Sequence, residues 1–96
     1  MRPSETLRAN RSIVISIAAQ MGMANVRVFG SVLHGSDTDD SDIDLLVDAP
    51  DNATLLDMVA LQNAIESQLG CTVDVLTADD LPVRFRNSVL AEARAL

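Results

Sequence analysis

Asp42 and Asp44 stand two apart in the string Ser41-Asp42-Ile43-Asp44-Leu45-Leu46-Val47. In a strand, side chains alternate between faces, so both carboxylates leave one face while Ile43 and Leu45 leave the other. Two carboxylates held this close repel when ionised. A hard divalent cation such as Mg²⁺ relieves that repulsion, because it takes oxygen ligands and often uses only one or two protein carboxylates beside substrate phosphates. Asp74 extends the pattern, since it stands between Val73 and Val75, where an acid is costly unless it has a partner. If the two strands are neighbours, the three acids form one cluster. Two metals about 3.5–4 Å apart could there activate an attacking oxygen and stabilise a leaving pyrophosphate. That is phosphoryl-group chemistry.

Upstream lies a second chemical feature, Gly30-Ser31. A glycine lets the backbone approach an anion closely, and a serine hydroxyl with the following N–H groups at the start of a helix can cradle phosphate oxygens. Ten residues separate Ser31 from Asp42, enough for a helical turn and a loop that returns to the sheet edge. Gly35 permits the next tight turn, and His34, the sole histidine, stands beside it. Two other phosphate or metal frames fail. Asp37, Asp39, Ser41 and Asp48 fall at EF-hand ligand positions, but Asp42 occupies the position that needs glycine and the last ligand is not glutamate. Gly30 and Gly35 have P-loop spacing, but Ser36 stands where the phosphate-binding lysine belongs.

The elements that must position these groups are legible in outline. Ser4 is a candidate N-cap for a first helix carrying Val14, Ile17, Ala18 and Met21 and ending at Gly22. Val26 to Phe29 reads as a strand closed by Gly30, and Gly35 to Ser41 as a loop. Asp42 to Val47 is a second strand that begins at a wet rim and enters the core. Asp51, Asn52 and Thr54 offer caps for a helix whose stripe is Met58, Leu61, Ile65 and Leu69, with Gly70 beyond it. Thr72 to Leu76 is a third strand, and a last helix is expected to carry Phe85, Val89, Ala93 and Leu96 on one core-facing side. The order implies an α/β or α+β fold with one small sheet. Cys71 is expected to pack as a small apolar group.

Composition bounds the rest. Ninety-six residues, 48% apolar, suit one domain spanning residues 1–96. Seven Arg and no Lys stand against fourteen acids, a formal charge of −7, which argues against holding nucleic acid through its phosphates. The acids Asp37, Asp39, Asp40, Asp48, Asp51 and Asp57 read as solvated faces able to steer a basic partner. A single cysteine excludes an internal disulfide and points to a reducing cytoplasm. No apolar run approaches the roughly 20 residues of a membrane helix.

Gly30-Ser31, ten residues, Asp42-x-Asp44 and the later strand acid Asp74 together resemble the nucleotidyltransferases of the DNA polymerase β-like superfamily. The short length resembles its minimal members, the MNT-domain antitoxins paired with HEPN-domain toxins. The resemblance covers Val26 to Leu96. It implies a small mixed sheet of three or more strands flanked by helices. In that family the counterparts of Gly30 and Ser31 hold the nucleotide's β- and γ-phosphates. Those of Asp42 and Asp44 bind Mg²⁺, and that of Asp74 assists metal binding or acts as base. The implied activity is transfer of AMP from ATP to a hydroxyl, in the antitoxins a tyrosine of the HEPN ribonuclease, which is thereby silenced. The alternative is an acidic antitoxin that inhibits by binding alone. The implied partners are the toxin and ATP, with neither nucleic acid nor membrane, and self-association is compatible with so small and apolar a domain. His34 departs from the pattern, since many relatives have arginine there.

Overall fold

The computed structural model describes all residues, 1–96. Two helices, α1 (Pro3–Ala9) and α2 (Arg11–Gln20), precede strand β1 (Ala24–Phe29), which runs directly into the one-turn helix α3 (Gly30–His34). Strand β2 (Ile43–Asp48), helix α4 (Leu55–Leu69) and strand β3 (Val73–Leu76) follow as a βαβ unit. A 3₁₀ turn (Ala78–Asp80), helix α5 (Val83–Glu92) and the short strand β4 (Arg94–Ala95) complete the chain. The sheet order is β3-β2-β1-β4, with β2 and β3 parallel and the other pairs antiparallel. A mixed four-stranded sheet with helices about it agrees with the α/β expectation.

Alternation along the strands sorts the two faces. Ile43, Leu45 and Val47 of β2 and Val73 and Val75 of β3 join Val14 and Ala18 of α2 and Leu61, Ile65 and Leu69 of α4 in one core cluster. Burying this face anchors the register, because a slip of one residue would turn every apolar side chain outward. Truncating a fully buried member such as Leu61 to alanine should cost about 2–5 kcal/mol. The α4 stripe is as read from sequence. Thr54 is its N-cap, accepting from the Asp57 N–H at 3.2 Å, and Gly70 closes it in the left-handed region.

Three expectations need correction. The first helix is two, because Asn10 turns its amide onto the Thr6 carbonyl at 2.8 Å and leaves helical geometry, the local competition that short polar side chains offer the backbone. Arg2, not Ser4, is the N-cap, with Pro3 in the first turn, where its missing N–H costs nothing. The last helix stops at Glu92, so Ala93 and Leu96 lie outside it. The Leu96 N–H donates to the Val26 carbonyl at 3.0 Å, beside the pairing of β4 with β1. No residue of α5 is buried, and Phe85 is 52% exposed rather than core. Arg86 ties α5 down, donating to the carbonyls of Ala78, Asp79 and Leu81 at 3.0–3.2 Å.

Candidate active site

The face of the sheet opposite the core carries the acids. Asp44 pairs in register with Asp74 across the parallel β2–β3 ladder and with Phe29 across the antiparallel β1–β2 ladder. Register partners share a face, and adjacent strands lie about 4.8 Å apart, so Asp44 and Asp74 are immediate neighbours. Asp42, two residues before Asp44, leads into β2 on the same side by alternation. The three acids therefore come from two adjacent strands and face one way. Asp42 and Asp74 are exposed, whereas Asp44 is half-buried.

Gly30 links this cluster to the upstream motif. Its φ is +75°, and a Cβ added there would run into Asp44 Oδ2 and lie 3.2 Å from Asp44 Cγ. Only glycine satisfies both the left-handed backbone and the close approach. The Gly30-Ser31 turn thus lies directly against the middle carboxylate, and the first N–H groups of α3 have no intrahelical partner. Gly35 is different: its φ is +72° with nothing within 4 Å of an added Cβ, and it serves as the left-handed C-cap of α3.

Electrostatics single out Asp44. Burial, and then the charges of Asp74 and Asp42, push its carboxyl up to about 6. None of the ion pairs of the chain includes Asp42, Asp44 or Asp74. Several arginines are engaged elsewhere. Arg27 pairs with Asp48 at 2.8 Å, Arg2 with Glu5 at 3.7 Å, Arg84 lies over Phe85, and Arg11 donates to the Leu96 carbonyl.

The donor set fits a hard cation: three oxygen-only side chains, mutually repelling and without an internal counter-charge. They do not form a closed cage, because no group of three or more His, Cys, Asp or Glu side chains is gathered tightly enough to hold a metal by itself. This suits a cation that takes its remaining ligands from water and phosphate. A cavity of about 790 Å³ is lined by none of the three acids. It lies at the opposite, C-terminal ends of β2 and β3.

The remaining candidates are placed as follows. His34 faces Glu92 of α5, with Nε2 3.1 Å from Oε2. Asp37, read as a solvated acid, is 3% exposed and accepts from the Ser4 N–H at 2.9 Å. Its carboxyl is held below the ordinary carboxylate range, chiefly by that bond. It caps α1 from across the chain, a role that no local spacing signals. Cys71 packs against the core, and burial raises its thiol.

Residues 11–96 match the nucleotidyltransferase domain family. The chain belongs to that family, among its minimal MNT-type members, and is a nucleotidyltransferase. A Methanocaldococcus jannaschii protein named as a protein adenylyltransferase is 35% identical over 80 residues, 83% of this chain and 86% of that one. The protein adenylyltransferase MntA of Thermococcus cleftensis is 34% identical over 76% of this chain and 74% of its own. A solved structure described as a minimal nucleotidyltransferase superimposes with a TM-score of 0.86 at 47% identity, covering 97% of this chain and 95% of that one. A toxin–antitoxin crystallised with AMP-PNP shares the fold, with a TM-score of 0.77 at 22% identity over 90% of this chain and 71% of its own. No helix is long and apolar enough to cross a membrane.

Proposed function

We propose that this chain is a Mg²⁺-dependent antitoxin that transfers AMP from ATP to a tyrosine hydroxyl of a HEPN ribonuclease toxin and so neutralises it. The observation that carries the proposal is the in-register pair Asp44 and Asp74, with Asp44 packed against Gly30. Kinship with proteins named adenylyltransferases supports protein as the acceptor class. The chain contains no tyrosine, so a tyrosine acceptor comes from another chain.

In this reading Gly30 and Ser31 hold the β- and γ-phosphates through backbone N–H groups and the serine hydroxyl. Asp42, Asp44 and Asp74 hold Mg²⁺, which when bound neutralises developing phosphate charge and lowers the pKa of the attacking hydroxyl. The acceptor oxygen attacks the α-phosphorus in line. A new P–O bond forms, the bond to the bridging oxygen of the β-phosphate breaks, and pyrophosphate leaves. Asp74, which is exposed, receives the hydroxyl proton or passes it to water. The partner walls the acceptor side of the site, since Asp42 and Asp74 are exposed.

The test is incubation with the purified toxin, Mg²⁺ and α-labelled ATP. Label on the toxin, lost in Asp42→Ala and Asp44→Ala variants, is the expected result. An unlabelled toxin that both variants still inhibit would replace catalysis with inhibition by binding alone.

A further inference from the structure

The 790 Å³ cavity lies away from the carboxylates, between the N-terminal half of α4 and the segment after β3. Its apolar wall is open to solvent: Leu55 is 80% and Val59 45% exposed, and neighbouring Leu56 is 79% exposed. Large aliphatic side chains standing together on one helix turn mark an interaction surface rather than scattered exposure. Asp48, Asp51, Asp79 and Asp80 also line the cavity, and no arginine does.

We infer that this groove docks a cationic, amphipathic segment of the partner protein, with aliphatic side chains against Leu55 and Val59 and basic groups against the aspartates. Charge chooses the occupant. A second copy related by a two-fold axis would bring aspartates against aspartates, and an anionic membrane or nucleic acid would be repelled by the same acids and the −7 charge. Asp48 is already paired with Arg27, and Asp80 accepts from the Thr77 N–H. This leaves Asp51 and Asp79 as the free anions. The docked segment does not add a strand. The edge strand β3 has its Val73 and Val75 N–H groups taken by Glu66 and Gln62 of α4 at 2.9 and 3.3 Å, which blocks edge pairing. Side chains entering a groove are the remaining mode. The groove and the acids lie at opposite ends of β2, so docking leaves the transfer site open to the acceptor hydroxyl.

The inference takes its partner from the proposed function, but its test uses binding alone. The full chain is titrated with two synthetic 18-residue helical peptides, one of Leu and Lys and one of Leu and Glu, and then with the purified toxin. The Leu/Lys peptide and the toxin should bind, and the Leu/Glu peptide should not. Leu55→Asp should weaken binding at least tenfold although it makes the chain more acidic, whereas diffuse charge attraction would strengthen it. Asp51→Lys with Asp79→Lys should weaken it similarly and flatten its salt dependence. Asp42→Asn should bind the Leu/Lys peptide like the wild type, so a failed transfer reaction leaves this result standing. Unchanged binding in the Leu55 and double-Lys variants overturns the inference. So does equal binding of both peptides, or a self-dimer in sedimentation that Leu55→Asp dissociates.

Discussion

Replacing Gly30 by alanine tests the contact on which the candidate site turns. Two costs are separable. The backbone at φ +75° costs an L-residue about 1–2 kcal/mol. The new Cβ must also displace the Asp44 carboxylate, an overpacking cost of about 1–3 kcal/mol. Gly35→Ala supplies the control, because its φ is +72° and nothing lies within 4 Å of an added Cβ. It should therefore cost only the backbone portion. For a domain of this size each kcal/mol shifts Tm by about 4–8 °C, so Gly30→Ala should melt about 10 °C or more below the wild type and well below Gly35→Ala. The double variant Gly30→Ala with Asp44→Ala removes the obstructing oxygens. It should recover about 1–3 kcal/mol relative to additivity, as directly contacting residues do. Thermal melts by circular dichroism give all four corners of the cycle. Equal melting of Gly30→Ala and Gly35→Ala, or strict additivity in the cycle, would refute the packing of the turn against the carboxylate.

Other outcomes follow from the same geometry. Asp44 has its carboxyl raised to about 6, so the folded chain binds its proton more tightly than the unfolded one. Its contribution to stability is fully favourable below about pH 4 and is lost as pH rises to about 6. Asp44→Asn should accordingly raise Tm at pH 7.5 but not at pH 4, measured without divalent metal. Millimolar Mg²⁺ at pH 7.5 should stabilise the wild type more than Asp44→Asn, and this difference should shrink below pH 6 in the same melts. Asp37→Ala uncaps α1 and should lower Tm. The carboxylate is held below its usual range, so its stabilisation is present above about pH 4 and fades as pH falls through the lower folded value. The Tm gap between Asp37→Ala and the wild type should close on acidification. Arg86→Ala should cost about 1–2 kcal/mol in denaturant melts by freeing three carbonyls. Arg86→Lys should not restore it fully, because an ammonium lacks the planar fork. His34→Ala breaks only an exposed pair with Glu92 and should leave stability within about 0.5 kcal/mol.

Local rules in the sequence determined a good deal. Strand alternation put Asp42 and Asp44 on one face, and the stripe Leu61, Ile65 and Leu69 with its Thr54 and Gly70 caps defined α4. These follow from periods of 2 and 3.6 residues and from capping chemistry, which act over a few positions. Strand order and register are different in kind. The alternation of Val73, Asp74 and Val75 fits either edge of the sheet, and only pairing with β2 sets Asp74 beside Asp44. The same holds for Gly30 against Asp44 and for Asp37 on the N-terminus of α1. These partners are fourteen and thirty-three residues apart in the sequence. Burial of the shared core brings them together, and no short-range propensity can specify that meeting. The end of the chain was misjudged for the same reason. An apolar spacing that suits a helix became α5 and then β4, because the free edge of β1 offered hydrogen bonds that a longer helix could not.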